Sequence, residues 1–323
     1  MFVNKLIINE FRGIKRCKSP IEFSNFTVLI GRNNSGKSTI LEALSLLPSP
    51  KLHNYLTSKK KIEYLKELHH YNALKYLYAG NSILNYYLNN RKQIRFEIHD
   101  QSNKIDHSIN KRSYSESDYL NEFSQFEGIS REQLTQLVLF IPYTTSILSD
   151  LESRMRILKE LITKNGIHIR LAKFLNECVN DRYSEIVFLE PISLRKIYEN
   201  NKVYLQLRDL GSGAEKIVKI MAILEVLSPK LVLIDDFEAG LHPTLIRLFL
   251  KWLKEKKWQK VISTHSIDVL YHLTEINPDD TTIIQLNKSN EDILSHKVLS
   301  LEQIEDILDA NNDPRLLVDI LKI

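Results

Sequence analysis

A spacing of glycine, lysine and serine near the amino terminus predicts a site that binds phosphate. Gly31 and the run Gly36-Lys37-Ser38 fit the pattern G-x-x-x-x-G-K-[ST] in full. Glycines let backbone N–H groups turn inward around phosphate oxygens, while the Lys37 ammonium can reach the terminal phosphates and the Ser38 hydroxyl can ligate Mg²⁺. The pattern lies between an apolar run and an amphipathic segment, which is the strand–loop–helix context that such a loop needs. A chance lysine in an ordinary turn would not have that context.

Two neighbouring carboxylates far along the chain could complete this site. In "LVLIDDFEAGLHP", Asp235 and Asp236 follow a short apolar run that is typical of a buried parallel strand. At the end of a strand beside the phosphate loop, Asp235 could orient Mg²⁺ and Asp236 would point to an attacking water. The same carboxylates could instead cap the helix that follows.

A histidine and a Gly-Ser-Gly turn supply two further candidates. His265 ends the apolar run of "VISTHS", which places it at the sheet edge where such folds bind ligands. A single histidine there would more often be structural, but three strand ends that carry Lys, Asp-Asp and His predict one shared site. Ser212 and Glu215 predict a capping box that opens a helix, either an ordinary capped helix or a second anion site. Two docked copies could use both sites if each phosphate loop faced the other copy's turn.

Alternation of strands and helices at both ends of the chain predicts the scaffold. We expect one discontinuous α/β domain with core lobes at 1–50 and 181–323 and a largely helical insertion at 51–180. Within the insertion, 51–90 has a helical texture, 101–117 is expected to be a loop, and Ser149 and Glu152 predict a capping box. Helical texture also covers 301–323. The predicted strands are 2–8, 26–30, 92–100, 137–142, 185–190, 193–198, 202–207, 230–236, 260–264 and a pair around 282–299.

Composition narrows the class of protein without naming a partner. The 323 residues carry 44 basic and 40 acidic side chains, for a net charge of +4, which is compatible with nucleic acid only if the basic residues cluster. Two cysteines, Cys17 and Cys178, show neither metal spacing nor a disulfide framework, as expected in a reducing cytosol. Apolar runs stay short of the roughly 18 residues of a membrane span, and no signal peptide opens the chain. We therefore expect a soluble cytoplasmic protein without a membrane span.

Several basic clusters are candidate contacts for DNA. The alternative for each cluster is a solvated helix face. The clusters are 58–61, 254–260, and the set Arg154, Arg156, Lys159, Arg170 and Lys173.

Five motifs together resemble the ATP-binding-cassette ATPases, in their SMC-like, RecF-like and OLD-like branch. They are "INEFRGIK", "GRNNSGKST", "DLGSGAEK", "LIDDFEAGLHP" and "STHS", and the resemblance covers about 1–47 and 185–275. It implies an α/β fold, the ABC-ATPase head of the P-loop NTPases, with a mixed sheet, a discontinuous core and a helical insertion. It also implies ATP and Mg²⁺ as ligands and a homodimer that sandwiches ATP. We expect that dimer to serve DNA transactions or anti-invader defence, through contact with DNA or through a separately encoded nuclease or other effector. The chain lacks the metal-binding cluster of a Toprim domain, and helices at 149–180 are too short for coiled-coil arms, so we expect a bare head.

The resemblance also implies roles for individual residues. Asp236 stands at the position of the general base, His265 at that of a residue that contacts the γ-phosphate, and Lys37 at that of the phosphate-binding lysine. Ser38 and Asp235 would hold Mg²⁺. The implied nucleotide-binding residues are Gly31, Asn33, Asn34, Ser35, Gly36, Lys37, Ser38, Thr39, Ser212 and Gly213 (the last two toward a partner's ATP), with Arg12 approaching either nucleotide or nucleic acid.

Three departures from the family pattern affect these expectations. Asp236 replaces a glutamate and is one methylene shorter, so hydrolysis is expected to be slow. Ala214 replaces a signature glycine, and no glutamine follows 137–142, although Gln133 and Gln136 precede it. Two alternatives stay open: a long-lived ATP-dependent protein-binding switch, and a transporter cassette, against which "FRG" and "GRNNSGKST" argue.

Overall fold

The structure of the protein is a computed structural model that describes residues 1–69, 74–99, 104–144, 146–179 and 181–316. Its strands are β1 (Val3–Phe11), β2 (Ile14–Cys17), β3 (Ile21–Glu22), β4 (Phe26–Ile30), β5 (Ser82–Leu88), β6 (Gln93–Ile98), β7 (Ile105–Ile109), β8 (Arg112–Tyr114), β9 (Val138–Ile141), β10 (Tyr183–Val187), β11 (Ser193–Tyr198), β12 (Asn201–Gln206), β13 (Leu231–Ile234), β14 (Gln259–Ser263), β15 (Thr281–Lys288) and β16 (Ile293–Leu299). Its α-helices are α1 (Lys37–Ser45), α2 (Lys61–His69), α3 (Glu116–Glu127), α4 (Ile147–Ile157), α5 (Lys159–Lys164), α6 (Ile167–Cys178), α7 (Ser212–Leu227), α8 (Pro243–Lys254), α9 (Ile267–Ile276) and α10 (Leu301–Asp309). Short 3₁₀ turns lie at Tyr76–Tyr78, Glu132–Gln136, Leu207–Leu210 and Pro314–Leu316.

The chain divides into two compact units. Unit 1 comprises Met1–Tyr143, Pro229–Phe237 and Lys257–Ile323, and unit 2 comprises Thr144–Ser228 and Glu238–Lys256. The division into lobes at 1–50 and 181–323 around an insertion stays a prediction.

A large mixed sheet forms the centre of unit 1. Its strand order is β8-β7-β6-β5-β1-β2-β16-β15-β4-β14-β13-β9, with β3 paired to β1. From β15 to β9 the neighbours are parallel, and every residue of β4, β9, β13 and β14 is buried. Parallel strands are covered on both faces, which explains their continuous apolar sequences, and α1 packs against β9, β13 and β14. The carboxyl ends of β4, β13 and β14 therefore meet at one edge.

The antiparallel part of this sheet corrects two expectations. Residues 82–88, expected to be helical, form β5, because their burial alternates strictly along the chain. The loop expected at 101–117 instead contains β7 and β8, joined by a tight turn in which Asn110 and Lys111 both have positive φ. The alternating polar residues of β7 concealed its buried Ile105, His107 and Ile109. Residues 70–73 and 100–103, which also fall in these predictions, lie outside the described residues.

Unit 2 combines helices α4 to α8 with a three-stranded antiparallel sheet, β10-β11-β12. α7 packs against α4, α5 and α6, and α6 also contacts α8 and β10. The strands predicted at 193–198 and 202–207 form as β11 and β12, which pair as an antiparallel hairpin. The predicted capping box of Ser149 and Glu152 is wrong, because α4 begins three residues earlier than that cap implies and the Ser149 hydroxyl donates to the carbonyl of Ser146 at 2.9 Å.

Two further findings concern membrane-spanning helices and the helix predicted at the carboxyl-terminal end. None of their helices is long and apolar enough to cross a membrane. The helix expected at 301–323 forms as α10 and a 3₁₀ turn up to Leu316, and 317–323 lie outside the described residues.

Candidate functional site

The loop between β4 and α1 has the backbone that the glycine pattern predicts. Gly31 has a φ of +144°, and a Cβ atom there would meet the carbonyl oxygen of Leu286 at 2.6 Å. Gly36 has a φ of +101° and immediately precedes α1. Both positions therefore require glycine, since an L side chain would be strained at either and would collide at the first. Asn34 also has a positive φ, which asparagine tolerates better than most residues.

The side chains of the loop converge on its inner face. Lys37 is 5% exposed, and its Nζ donates to the carbonyls of Gly31 and Arg32 at 3.1 and 3.2 Å. Ser35 Oγ is buried and has no hydrogen-bond partner among the described residues. Thr39, also buried, lies in the first turn of α1, while Asn33 is exposed in the loop. An ammonium packed over the loop, above a helix start, is an arrangement that receives an anion.

Asp235 lies where a magnesium ligand is expected. It is 7% exposed, and its Oδ1 accepts a hydrogen bond from Ser263 Oγ at 2.5 Å. Burial raises the pKa of Asp235 to about 6, the hydroxyls of Ser263 and Ser38 oppose that rise, and the charges of Asp236 and Glu42 add to it. The Ser38 hydroxyl thus lies near the Asp235 carboxylate.

This pair of oxygen donors fits Mg²⁺. The ion is usually held by one or two protein oxygens together with substrate phosphates and water. Such a site needs no larger cluster, and the described residues contain no group of three or more His, Cys, Asp or Glu that could hold a metal. Ser38 and Asp235 would therefore hold the ion between them and the phosphates.

Asp236 and His265 stand together at the same edge. Asp236 has a φ of +42°, and its backbone N–H donates to Ser263 Oγ at 2.9 Å. Its Oδ2 lies 3.7 Å from Nε2 of His265, whose side chain is 41% exposed. A backbone in a sparsely populated conformation is common at functional sites. The structure thus brings Asp235, Asp236 and His265 together around Ser263, a residue that the sequence did not single out.

Arg12 contacts a buried carboxylate on the helix that follows the phosphate loop. Its Nη1 donates to Oε2 of Glu42, and its Nη2 lies 3.1 Å from Nδ1 of His69. His69 Nε2 is in turn 2.8 Å from Oε1 of Glu42, which is 3% exposed. Arg12 therefore ties the β1–β2 turn to α1, and its role as a nucleotide contact stays a prediction. Glu42 was missed, although its position four residues after Ser38 places both on one helix face.

The predicted capping box at the start of α7 in unit 2 is wrong. The helix begins at Ser212 with Gly211 as its N-cap and no side-chain cap, because the serine lies one residue past the capping position. Glu215 instead accepts a hydrogen bond from Lys219 Nζ at 2.6 Å. The Ser212 side chain is exposed, and a Cβ on Gly213 would meet the carbonyl oxygen of Gly240 at 2.6 Å. The two glycine-containing segments of unit 2 therefore touch backbone to backbone.

Many of the basic residues proposed for DNA contacts are already paired or buried. Arg156 bonds Glu152 at 2.8 Å, and Glu225 accepts from Arg170 at 2.6 Å and from Lys256 at 2.8 Å. Lys61 and Lys260 are buried. Gln133, which precedes β9, accepts a hydrogen bond from the backbone of Ser130 through Oε1 at 2.9 Å.

Fold and site together define a class of protein. A phosphate loop after one buried parallel strand, a histidine after its neighbour and paired aspartates after the next form the head of an ABC-type P-loop ATPase. Residues 26–270 match the model of the AAA_21 family, described as "AAA domain, putative AbiEii toxin, Type IV TA system". The chain belongs to this family and is an ATPase of the SMC-like type.

Relatives are distant in sequence and similar in fold. A Helicobacter pylori protein named "ATP/GTP phosphatase" is 22% identical over 85% of this chain and 88% of its own length. The structure of an SMC head bound to the C-terminal winged-helix domain of ScpA superposes with a TM-score of 0.66 at 16% identity, over 94% of this chain and 99% of that one. The SMC head domain from Thermotoga maritima gives 0.55 at 17% identity, over 93% and 100%. At these identities the structures show the fold alone.

Proposed function

We propose that the chain binds and hydrolyses ATP at the edge formed by β4, β14 and β13. The observation that carries this proposal is the different environment of two adjacent carboxylates. The Asp235 carboxylate is buried and lies 2.5 Å from Ser263 Oγ, whereas the Asp236 carboxylate is partly exposed beside His265 and lies 3.2 Å from the same hydroxyl. Two carboxylates whose surroundings differ in this way can have different catalytic roles, one holding a cation and the other accepting a proton.

Each residue then has one task in the reaction. Lys37 binds the terminal phosphates together with the loop amides. Ser38 and Asp235 orient the nucleotide through the metal ion that they would hold. When bound, Mg²⁺ would neutralise charge on the β- and γ-phosphates. Asp236 accepts the proton of the attacking water, and His265 positions Asp236 and the γ-phosphate.

We further propose that two copies close around ATP. The start of α7 presents Ser212 in an exposed first turn with no side-chain cap, so its amide groups are available to an incoming phosphate. In unit 1, Lys37 and the loop amides would bind the ATP phosphates from one chain. Ser212 and Gly213 of a second copy would then cap the γ-phosphate. ATP would then change the spacing of the two heads.

The output of that dimer is proposed to be a separately encoded effector. The family description names a putative toxin of a toxin–antitoxin system, which supports a role in anti-invader defence or in a related DNA transaction. The pairing of Arg156, Arg170 and Lys256 favours a protein partner over direct contact with DNA. Cys17 and Cys178, both unpaired thiols, fit a cytoplasmic setting.

A second candidate is a slow switch that uses ATP mainly for binding. Asp236 is one methylene shorter than glutamate, and Ser263 Oγ lies 3.2 Å from its Oδ1. A carboxylate of short reach that is drawn toward the strand would accept a proton poorly, since a general base must first come within hydrogen-bond distance of its water. The ATP-bound dimer would then persist long enough to recruit a partner.

Light scattering tests the dimer. The wild type and Asp236→Asn should double in mass with ATP and Mg²⁺, whereas Ser212→Arg should remain a monomer. Ser153→Arg, which changes another exposed helical serine of unit 2, is the matched control and should behave as wild type. An unchanged mass for both wild type and Asp236→Asn would refute the sandwich.

A further inference from the structure

A short segment after α10 returns to the sheet of unit 1 beside the phosphate-loop strand. Gln285, which is 1% exposed on β15, donates through Nε2 to the carbonyl of Pro314 at 2.7 Å. Pro314 is itself buried, and the 3₁₀ turn closes with the Leu316 amide on the carbonyl of Asp313 at 3.0 Å. β15 pairs directly with β4. The segment 313–316, called here the return segment, is therefore fixed next to the strand that leads into the loop.

The return segment holds Arg315 in one orientation. Its Nε lies 2.8 Å from Asp313 Oδ1 and its Nη2 lies 2.5 Å from Asp313 Oδ2, a fork-like pair. The Arg315 amide also donates to Asp313 Oδ1 at 2.9 Å. A guanidinium fixed through two of its nitrogens and its own backbone has little rotational freedom left.

The remaining guanidinium nitrogen reaches the histidine of the nucleotide site. Arg315 Nη1 donates to the main-chain oxygen of His265. On the strand side of this residue, the Thr264 amide donates to the carbonyl of Leu29 at 3.1 Å. His265 thus lies between a sheet hydrogen bond and the Arg315 guanidinium.

Arg315 also faces the phosphate loop. It lines a cavity of about 320 Å³ together with the loop residues Arg32, Asn33, Asn34 and Ser35. One arginine therefore touches the histidine segment and borders the loop.

We propose that Arg315 is a positioning residue that sets the place of the His265 imidazole relative to Asp236. The inference rests on the proposed role of this site in ATP hydrolysis. The imidazole lies 3.7 Å from the Asp236 carboxylate, so a small rotation of the His265 peptide would bring the two groups within hydrogen-bond distance or move them further apart. Displacements of about 1 Å at a reacting centre can change rates by roughly 100-fold. The sequence "NDPRLL" gave no signal of this contact because the two residues are 50 positions apart.

A double-mutant cycle tests whether Arg315 acts through His265. Arg315→Gln should lower kcat about 10-fold and change KM less than about threefold, because the contact orients a group without binding ATP. Arg315→Lys, which keeps one donor, should recover part of the loss. In a His265→Ala background, Arg315→Gln should have almost no further effect on kcat. Asn312→Ala, an exposed neighbour whose side chain contacts Ala310, is the matched control and should leave kcat unchanged.

Amide hydrogen exchange without nucleotide gives a second readout that does not need hydrolysis. Arg315→Gln should speed amide exchange at residues 264–267, because the hydrogen bond from Arg315 to the His265 carbonyl is lost, and should leave exchange in β13 unchanged. If the wild type does not hydrolyse ATP, the proposed function fails and this measurement alone decides the role of Arg315. Unchanged exchange at 264–267, or fully additive losses in the double variant, would overturn the proposal.

Discussion

The two regions assigned to phosphate differ in how their residues are held. At the site in unit 1, Lys37, Asp235 and His265 follow buried strands and bond through their side chains or main chain to fixed neighbours. At the start of α7 in unit 2, Ser212 is exposed without a side-chain cap, and the local packing is the approach of Gly213 to Gly240. One region is built from positioned side chains and the other from exposed backbone.

Held side chains and an exposed helix start have different capacities in a single chain. Positioned charges can bind a nucleotide within one chain, because their orientation does not have to be created when the nucleotide arrives. An exposed helix start offers amide groups but little binding energy until an anion is delivered to it. We therefore expect substitutions in unit 1 to affect nucleotide binding or hydrolysis, and those at the start of α7 to affect association.

The largest effect should come from Lys37→Ala. It removes the buried ammonium that packs over the loop, and we expect ATP binding to fall below detection while the fold is retained. Calorimetric titration with ATP and Mg²⁺ measures the loss, and Lys297→Ala, an exposed lysine on β16, is the control. Normal affinity in a folded Lys37→Ala protein would show that the loop is not the nucleotide site.

Substitution of the paired aspartates should separate chemistry from binding. Asp236→Asn should lower kcat by about 10²- to 10⁴-fold and keep the ATP-dependent dimer, since it loses the proton acceptor but keeps its shape. Asp236→Glu should preserve or raise the rate if reach is limiting, and Asp235→Asn should weaken Mg²⁺ and ATP binding. Steady-state hydrolysis and titration distinguish these outcomes. An Asp236→Asn enzyme as fast as wild type would place the general base elsewhere.

Gly213→Ala should impair association and spare ATP binding. Its Cβ would stand 2.6 Å from the Gly240 carbonyl, so the first turn of α7 has to move. We expect a weakened ATP-dependent dimer, of the order of 10-fold in its dissociation constant, as for a lost interaction of about 1.4 kcal/mol. Gly13→Ala is the matched control, because its Cβ would meet only the end of the Lys288 side chain at 3.4 Å and the Asn34 side chain at 3.8 Å. Equal dimer affinity for the two variants would contradict the close-packing argument.

The smallest effect concerns the stability of unit 2. Glu225 accepts hydrogen bonds from Arg170, Trp252 and Lys256. Glu225→Gln should lower the free energy of unfolding by about 1–2 kcal/mol, because three donors lose a charged acceptor. Denaturant unfolding checks this value against Glu160→Gln, an exposed control, and ATP affinity should stay the same in both. A change in ATP affinity would mean that unit 2 contributes to the binding site in a single chain.

The sequence predicted those parts of the site that depend on local pattern. Lys37, Asp235, Asp236 and His265 each follow an apolar run, and the carboxyl ends of neighbouring parallel strands meet at one edge whatever the rest of the chain does. The proximity of these side chains therefore follows from the pattern of apolar runs alone. The large mixed sheet and the phosphate-loop fold are confirmed for the same reason.

The features that the sequence did not predict depend either on contacts between residues far apart in the chain or on the exact residue at which a helix begins. Ser263, Glu42 and Arg315 are ordinary residues whose partners come from distant strands or helices. The helix at Ser212 begins one residue earlier than the capping pattern implied, since helix boundaries are the least certain part of such patterns. β7 was missed because its outward-facing residues are polar.

The most direct test of the shared ATP site mixes two inactive variants. Lys37→Ala lacks a working phosphate loop but keeps its α7 start, and Ser212→Arg has the reverse defect. A mixed dimer therefore contains one intact composite site, made from the loop of one chain and the Ser212 turn of the other. We predict that each variant alone is inactive and that hydrolysis appears when they are combined. If the mixture were as inactive as its components, or if Ser212→Arg alone hydrolysed ATP at the wild-type rate, the ATP site would not be shared between two chains.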